Sequence, residues 1–163
     1  MKHKIHPKIL EIAEQVREEA ETLCDAHGAD GSYPRTGWDD CLCGLCAVSA
    51  YRLTDLLREA GFEAVFCATQ GHCFTKIGKW IVDVTATQFG YDRIHYFEVH
   101  GDEHYDSYKN YDEIEFENID RVMGPGWNGE QHPSMRYYLD PERYKDVRPH
   151  VILDEHYTYV NLK

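Results

Sequence analysis

The sequence predicts an α+β fold in which N-terminal helices pack on an antiparallel β-sheet. Two stretches with apolar residues at three- and four-residue spacing come first, and three short stretches rich in aromatic and β-branched residues follow. A glycine and a lysine separate the last two of these stretches and suit a tight hairpin turn. With 163 residues and 42% hydrophobic content, the chain is long enough to form one domain, residues 1–163, with a buried core.

Both helices are predicted from apolar periodicity and from glycines at their ends. The first covers residues 7–23, with charged residues between its apolar positions and "HG" soon after it. The second has a small and apolar stripe over residues 47–60 and is closed by Gly61. The segment "GADGSYPRTGWDD" between them consists largely of turn-forming residues and predicts a loop. Cys46 is therefore expected in or next to the first turn of the second helix.

The strands are predicted from β-branched and aromatic content. They cover residues 62–68, 72–77 and 79–86, with weaker candidates at residues 94–99 and 151–160. The acidic and tyrosine-rich segment between the weaker candidates begins at residue 98 and extends to residue 120. Because it has no strong period, it is expected to be an exposed connection with short ordered pieces.

The predicted hairpin brings a histidine and an aspartate together. A glycine first in a two-residue loop favours a type II′ turn at Gly78 and Lys79, and this loop length places Phe74 opposite Asp83. Residues two apart on a strand share a face, so His72 and Asp83 become diagonal neighbours with backbones ~7 Å apart. A carboxylate in that place can orient the imidazole and stabilise its protonated form. A three-residue loop would send Asp83 to the other face.

Six cysteines stand at positions 24, 41, 43, 46, 67 and 73. A cysteine at a helix N-terminus feels the positive end of the helix dipole, and a nearby histidine further favours the thiolate. The order Cys46, His72, Asp83 suits nucleophilic acyl transfer, in which cysteine attacks, histidine shuttles the proton and aspartate orients the histidine. Backbone N–H groups at the helix start, including that of Cys46, could hold the oxyanion. Cys67 and Cys73 are expected to be core thiols on the face opposite His72.

Two quoted motifs resemble a known enzyme superfamily. "CGLCAVSA", residues 43–50, resembles the papain-type segment in which a nucleophilic cysteine opens a helix, and it aligns Cys46 with that nucleophile. The wider pattern, from Cys46 through "LLREAGFEAVF" to "GHCFTKIGKWIVDVTATQFG", is similar to the transglutaminase-like branch, with a histidine strand and an aspartate strand. The resemblance covers residues 38–90. It implies a papain-like core and a thiol hydrolase or acyltransferase with a Cys-His-Asp triad.

One departure from the papain-type pattern concerns the oxyanion hole. Papain-type enzymes carry a glutamine six residues before the nucleophile, and Asp40 stands at that position here. The candidates for that role, or for the lining of the cleft, are therefore Gln88, Trp38 and Gln70. The papain-type cysteine that Cys43 resembles normally forms a disulfide, which a reducing compartment would disfavour. Substrate selection is expected to come from the loop at residues 30–40 and from the C-terminal third.

Two other classes of function remain open from the sequence. Cys41, Cys43 and Cys46, together with Cys24 or a histidine, could bind zinc in a small metal-stabilised domain. Structural zinc sites usually have two cysteine pairs on separate loops, and the second pair is missing here, so no metal is predicted. The chain could also be a non-catalytic binding module of the same fold. The acyl-transfer chemistry itself needs no cofactor.

Charge and apolar patterning restrict the partners. With 29 acidic and 17 basic residues the formal net charge is −12, which disfavours nucleic acid and anionic membranes. The expected partner is a peptide, a protein or a small amide substrate, neutral or cationic. No apolar run approaches the ~20 residues of a membrane span, and "MKHKIHPKIL" lacks the apolar region of a signal peptide. A cytoplasmic location is therefore expected, with the cysteines reduced.

Overall fold

The computed structural model describes residues 4–28, 46–69, 71–99 and 106–118. Within these ranges, helix α1 covers Pro7–Gly28 and helix α2 covers Cys46–Glu59. The strands are β1 Ala64–Ala68, β2 Cys73–Ile77, β3 Trp80–Asp83, β4 His95–Glu98 and β5 Asp112–Ile114. Three 3₁₀ helices are η1 Ala86–Phe89, η2 Asp106–Tyr108 and η3 Phe116–Asn118. The predicted α+β class is confirmed, while the predicted strand at residues 151–160 lies outside the described residues.

The five strands form one antiparallel sheet in the order β4-β3-β2-β1-β5. The predicted hairpin register is confirmed, because Ile77 pairs with Trp80 and Thr75 pairs with Val82. Gly78 has a φ of 57°, a conformation that glycine adopts without steric cost. Among the described residues other than glycine, only Asn110 has a positive φ, so the turn has the glycine-first pattern of type II′.

Both helices pack on one face of the sheet. Their shared core is apolar and is formed by Ile5, Ile9, Ile12, Ala13, Val16, Leu53, Leu57, Ala64, Ile77, Val82 and Val84. The periodic apolar positions of the sequence therefore supply the helix face that is buried, at roughly 1.5–3 kcal/mol for each large side chain. Neither helix of the described structure combines the length and the apolar character that crossing a membrane requires.

The opposite face of the sheet carries a second cluster, formed by Cys67, Phe74, Ile81 and Tyr108. Cys67 lies directly opposite Phe74 in the β1–β2 register, so these two side chains share a face. His72 contacts the rings of Phe74 and Tyr108 and therefore belongs to the same side. The expectation that Cys67 points away from His72 is wrong, because the β1–β2 register could not be deduced without the turn between these strands.

Candidate active site

Cys46 is the first residue of α2, as expected, and its side chain is 8% exposed. The first four N–H groups of an α-helix have no partner within the helix, and the aligned peptide dipoles place a partial positive charge there. α2 has no acidic residue in its first turn to offset that charge. The position therefore favours a thiolate over a thiol.

The backbone before β2 fixes the position of His72. The amide of Thr69 donates a hydrogen bond of 2.8 Å to the carbonyl of His72, which closes the turn between β1 and β2. Nε2 of His72 lies 2.6 Å from Oδ2 of Asp83, and both side chains are only 2% exposed. The predicted hydrogen bond between these residues is thus present, and it follows from the hairpin register.

Both oxygens of the Asp83 carboxylate accept hydrogen bonds. Oδ1 accepts hydrogen bonds from the amide and the hydroxyl of Thr85, at 2.8 and 3.1 Å. Oδ2 accepts one from the hydroxyl of Tyr108 at 2.7 Å, in addition to His72. A buried carboxylate is costly to desolvate unless it is fully hydrogen-bonded, so these donors hold Asp83 ionised and in one orientation.

Aromatic rings surround the imidazole of His72. Its ring centroid lies 4.7 Å from that of Phe89 and 5.6 Å from that of Tyr108, both in edge-on arrangements. Phe74 lies 5.8 Å away on the neighbouring part of β2. This environment excludes water and strengthens the electrostatic interaction between His72 and Asp83.

Cys46 interacts with side chains from both faces of β2. Its thiol interacts electrostatically with the thiol of Cys73 and with the imidazole of His72. Since Nε2 of His72 is bound to Asp83, Nδ1 is the ring nitrogen left to exchange a proton with Cys46. Nδ1 is buried and has no hydrogen-bond partner among the described residues.

The surroundings shift the pKa values of Cys46 and Cys73 in opposite directions. The interaction with Cys73 lowers the pKa of Cys46 most; burial opposes this, and His72 lowers the pKa further. The pKa of Cys73 is raised by the same interaction and by burial. The negative charge therefore resides on Cys46, the thiol that interacts with His72.

The histidine and the aspartate are shifted toward their charged forms. Burial lowers the pKa of His72, but the charge and hydrogen bond of Asp83, with help from Cys46, raise it to about 10. Burial likewise raises the pKa of Asp83, but His72, Tyr108 and Thr85 outweigh it and the pKa falls below its usual value. The directions of these shifts favour a thiolate at Cys46, an imidazolium at His72 and a carboxylate at Asp83.

The oxyanion and cleft candidates are only partly placed. Gln88 lies in η1, and its Nε2 donates to the carbonyl and the hydroxyl of Thr85 at 3.0 and 3.2 Å. Its amide donors are therefore engaged in supporting the Asp83 network. Trp38 and Gln70 lie outside the described residues, and the backbone N–H groups in the first turn of α2, which have no partner within the helix, remain candidates for the oxyanion hole.

Metal-ligating side chains do not cluster in the described ranges, where no group of three or more histidine, cysteine, aspartate or glutamate residues could hold a metal ion. Cys41 and Cys43, the core of the alternative zinc site, lie outside these ranges, as does the side chain of Cys24.

Sequence reasoning did not assign a role in the site to Tyr108, Thr85 or Cys73. Tyr108 lies in a stretch without periodicity, so nothing in the sequence placed it beside Asp83. Thr85 could have been found, because a hydroxyl residue two positions after an aspartate commonly bonds back to its carboxylate. Cys73 is a core thiol, as expected, but its interaction with Cys46 depends on where α2 begins relative to the start of β2.

Comparison with known proteins yields no relative: no protein family, no curated protein and no solved structure matches this chain.

Proposed function

We propose that the chain is a cysteine-dependent acyl-transfer enzyme built on a papain-like core of the transglutaminase-like kind. The observation that carries the proposal is the convergence of Cys46, His72 and Asp83, from a helix and two strands, into one buried interacting chain. A structural ion pair would need only two of these groups. A thiol with a lowered pKa at a helix start, beside a histidine oriented by a carboxylate, matches the requirements of an activated nucleophile.

In the proposed reaction the Cys46 thiolate attacks the carbonyl carbon of an amide or thioester. The oxyanion that forms accepts hydrogen bonds from backbone N–H groups at the start of α2. His72 then gives the proton on its Nδ1 to the leaving amine or thiol, and the bond to that group breaks. This leaves a thioester on Cys46 and a neutral His72, which Asp83 keeps in position.

The second half of the reaction releases the acyl group. Neutral His72 removes a proton from water, which attacks the thioester and returns the thiolate–imidazolium pair. Hydrolysis is our first choice of outcome, as in a peptidase, amidase or deamidase, and transfer to an amine is the second. The substrate class is a peptide, a protein or a small amide. The acidic surface of the chain favours neutral or cationic substrates.

Trapping the thioester tests this proposal without knowledge of the natural substrate. The full chain is treated with p-nitrophenyl acetate as a generic acyl donor, with release of nitrophenol followed optically and acetylated peptides mapped by mass spectrometry. We expect acetylation at Cys46, its abolition in Cys46→Ala, and a loss of about 100-fold or more in His72→Ala. Asp83→Ala should have a milder effect. Cys67→Ala, which removes a buried thiol outside the site, should react like the unmodified chain.

Two outcomes contradict the proposal. Nitrophenol release that is unchanged in Cys46→Ala would show that Cys46 is not the nucleophile. An unreactive Cys46 in a chain that is folded by circular dichroism would instead favour a non-catalytic binding module. Folding of each variant is checked in the same way, so that loss of reaction is not mistaken for loss of structure.

A further inference from the structure

A second thiol lies against the proposed nucleophile. Cys73 is the first residue of β2 and lies on the same face as Thr75, which contacts α2. The Thr75 hydroxyl donates to the Ala50 carbonyl at 3.1 Å, and Cys46 lies one helical turn before Ala50, so Cys73 lies next to the start of α2 and the two thiols interact. Both cysteines are free thiols and both are buried. The acyl-transfer mechanism gives Cys73 no step of its own.

We propose that Cys46 and Cys73 form a reversible oxidation site, at which a peroxide converts the two neighbouring thiols into a disulfide. The inference goes beyond the proposed acyl transfer and does not depend on it, because it requires only a reactive Cys46 and a second thiol within contact. A disulfide would remove the nucleophile and thus stop any reaction that uses it. A small thiol reductant would restore it.

The chemistry takes place in two steps. The Cys46 thiolate attacks one oxygen of hydrogen peroxide, an S–O bond forms, the O–O bond breaks, and the released hydroxide takes up a proton to become water. Cys46 is then a sulfenic acid, oxidised by two electrons, and the peroxide is reduced. In the second step the sulfur of Cys73 attacks that of Cys46. The S–S bond forms, the S–O bond breaks, and the leaving hydroxide takes the Cys73 proton as a second water.

The geometry suits the second step. A disulfide requires sulfurs about 2.05 Å apart, so two buried thiols placed next to each other by α2 and β2 need only a small approach. Cys73 is held in a strand between two neighbours, β1 and β3, whereas Cys46 stands at the end of a helix. Helix ends fray more easily than central strands. We therefore expect Cys46 to make the movement. The other described cysteine, Cys67, lies on the opposite face of the sheet.

The decisive measurement is a map of the oxidised thiols. The reduced full chain is treated with increasing hydrogen peroxide, remaining thiols are alkylated, and peptides are analysed without reduction. We expect a peptide pair linked through Cys46 and Cys73, with the loss of two hydrogen atoms, that dithiothreitol reverses. With dimedone present, Cys73→Ser should accumulate the sulfenic acid adduct at Cys46 at least tenfold more than the unmodified chain. Cys67→Ser, the matched control, should still form the linked pair.

Two results would overturn the inference. One is dimedone labelling of Cys46 in the unmodified chain with no linked peptide at any dose of peroxide. The other is a linked peptide that joins Cys46 to Cys41 or Cys43 in place of Cys73. Both are read on the unmodified chain, so they stand even if Cys73→Ser fails to fold. None of these readouts uses acyl transfer, so the site can be disproved while the proposed function stands, and the reverse is also true.

Discussion

At the scale of single residues, the ionised state of Asp83 explains most of the site. Its side chain is almost completely buried, yet four donor groups from Thr85, His72 and Tyr108 surround its two oxygens. Donors of this kind stabilise the charged form and fix the side chain in one rotamer. The orientation of the His72 ring, and hence the side that it presents to Cys46, follows from that fixed carboxylate.

Tyr108→Phe tests the contribution of the buried hydroxyl. The change keeps the ring, which packs against Phe74 and Phe97, and removes only the hydrogen bond to Asp83. Because that bond is made to a charged group, we expect the free energy of unfolding to fall by about 1.5–3 kcal/mol. The measurement is urea denaturation followed by circular dichroism.

Tyr96→Phe is the matched control for this change. Tyr96 is 42% exposed, and its ring contacts Trp80. Loss of this hydroxyl group should change the free energy of unfolding by less than about 0.5 kcal/mol, as is usual for a substitution at the surface. Equal effects of the two substitutions would mean that the Tyr108 hydroxyl does not support Asp83.

At the scale of elements, the hairpin between β2 and β3 decides which side chains meet. The glycine-first turn could be predicted from the sequence, and with it came the register that joins His72 to Asp83. The start of α2 at Cys46 could also be predicted, since apolar spacing begins there. The contact between Cys46 and Cys73 could not, because periodicity gives the face of a residue but not the distance between two element ends.

A pair of threonines attaches α2 to β2 close to the site. The hydroxyls of Thr54 and Thr75 lie 3.0 Å apart, and each also lies within hydrogen-bond distance of the Ala50 carbonyl, at 2.7 and 3.1 Å. Two hydroxyl hydrogens serve these three contacts, so two hydrogen bonds form at one time. Both side chains are fully buried, so these hydrogen bonds hold α2, which begins at Cys46, against β2, which begins at Cys73.

Thr75→Val tests these hydrogen bonds between α2 and β2, because the substitution keeps the volume of the side chain nearly constant. The substitution removes one of the two donated hydrogen bonds while Thr54 still donates to Ala50, so we expect a loss of about 1 kcal/mol in the free energy of unfolding. Thr22→Val is the control, because the Thr22 hydroxyl bonds to the Glu18 carbonyl on an exposed part of α1. If thermal denaturation finds both variants equally stable, the buried hydroxyl contact contributes nothing to the attachment of α2.

At the scale of the whole molecule, the two faces of the sheet differ in what they carry. One face packs on both helices, and the apolar periodicity of the sequence was sufficient to predict it. The other face carries Asp83, His72 and the aromatic residues around them. Its cover includes Tyr108, from a segment whose following strand, β5, pairs with β1 rather than with its neighbour in sequence. Such non-local pairing leaves no period in the sequence, so the position of Tyr108 in this layer could not be predicted.

The free energy of unfolding should depend on pH in a way that reflects the ionisation of Cys46 and His72. The pKa of His72 rises from 6.5 to about 10, so its contribution is full below pH 6.5 and is lost as the pH rises toward 10. The pKa of Cys46 is lowered well below 9.0, so its contribution is full above pH 9.0 and is lost as the pH falls. Below pH 9.0 the two slopes therefore oppose each other wherever His72 is protonated and Cys46 is ionised only in the folded chain.

Cys46→Ala removes the contribution of Cys46 to the pH dependence of the unfolding free energy and leaves that of His72. Asp83 still raises the pKa of His72 in this variant, so its stability should fall as the pH rises above 6.5, and more steeply than that of the unmodified chain, in which Cys46 opposes the fall. The difference in unfolding free energy between the two chains should therefore increase with pH below pH 9.0, by up to about 1.4 kcal/mol for each pH unit. Urea denaturation under reducing conditions at several pH values measures that difference and cancels the other titrating groups, which both chains share.

Cys67→Ala separates this effect from the loss of any buried thiol. Burial and the charge of Glu113 raise the pKa of Cys67 to about 12, so Cys67 is a thiol in the folded chain below pH 9.0. Its unfolded form ionises only near pH 9.0, and the corresponding difference in stability should stay level below about pH 8. A level difference for Cys46→Ala as well would mean that Cys46 is protonated in the folded protein. The thiolate on which both the acyl transfer and the oxidation depend would then be absent.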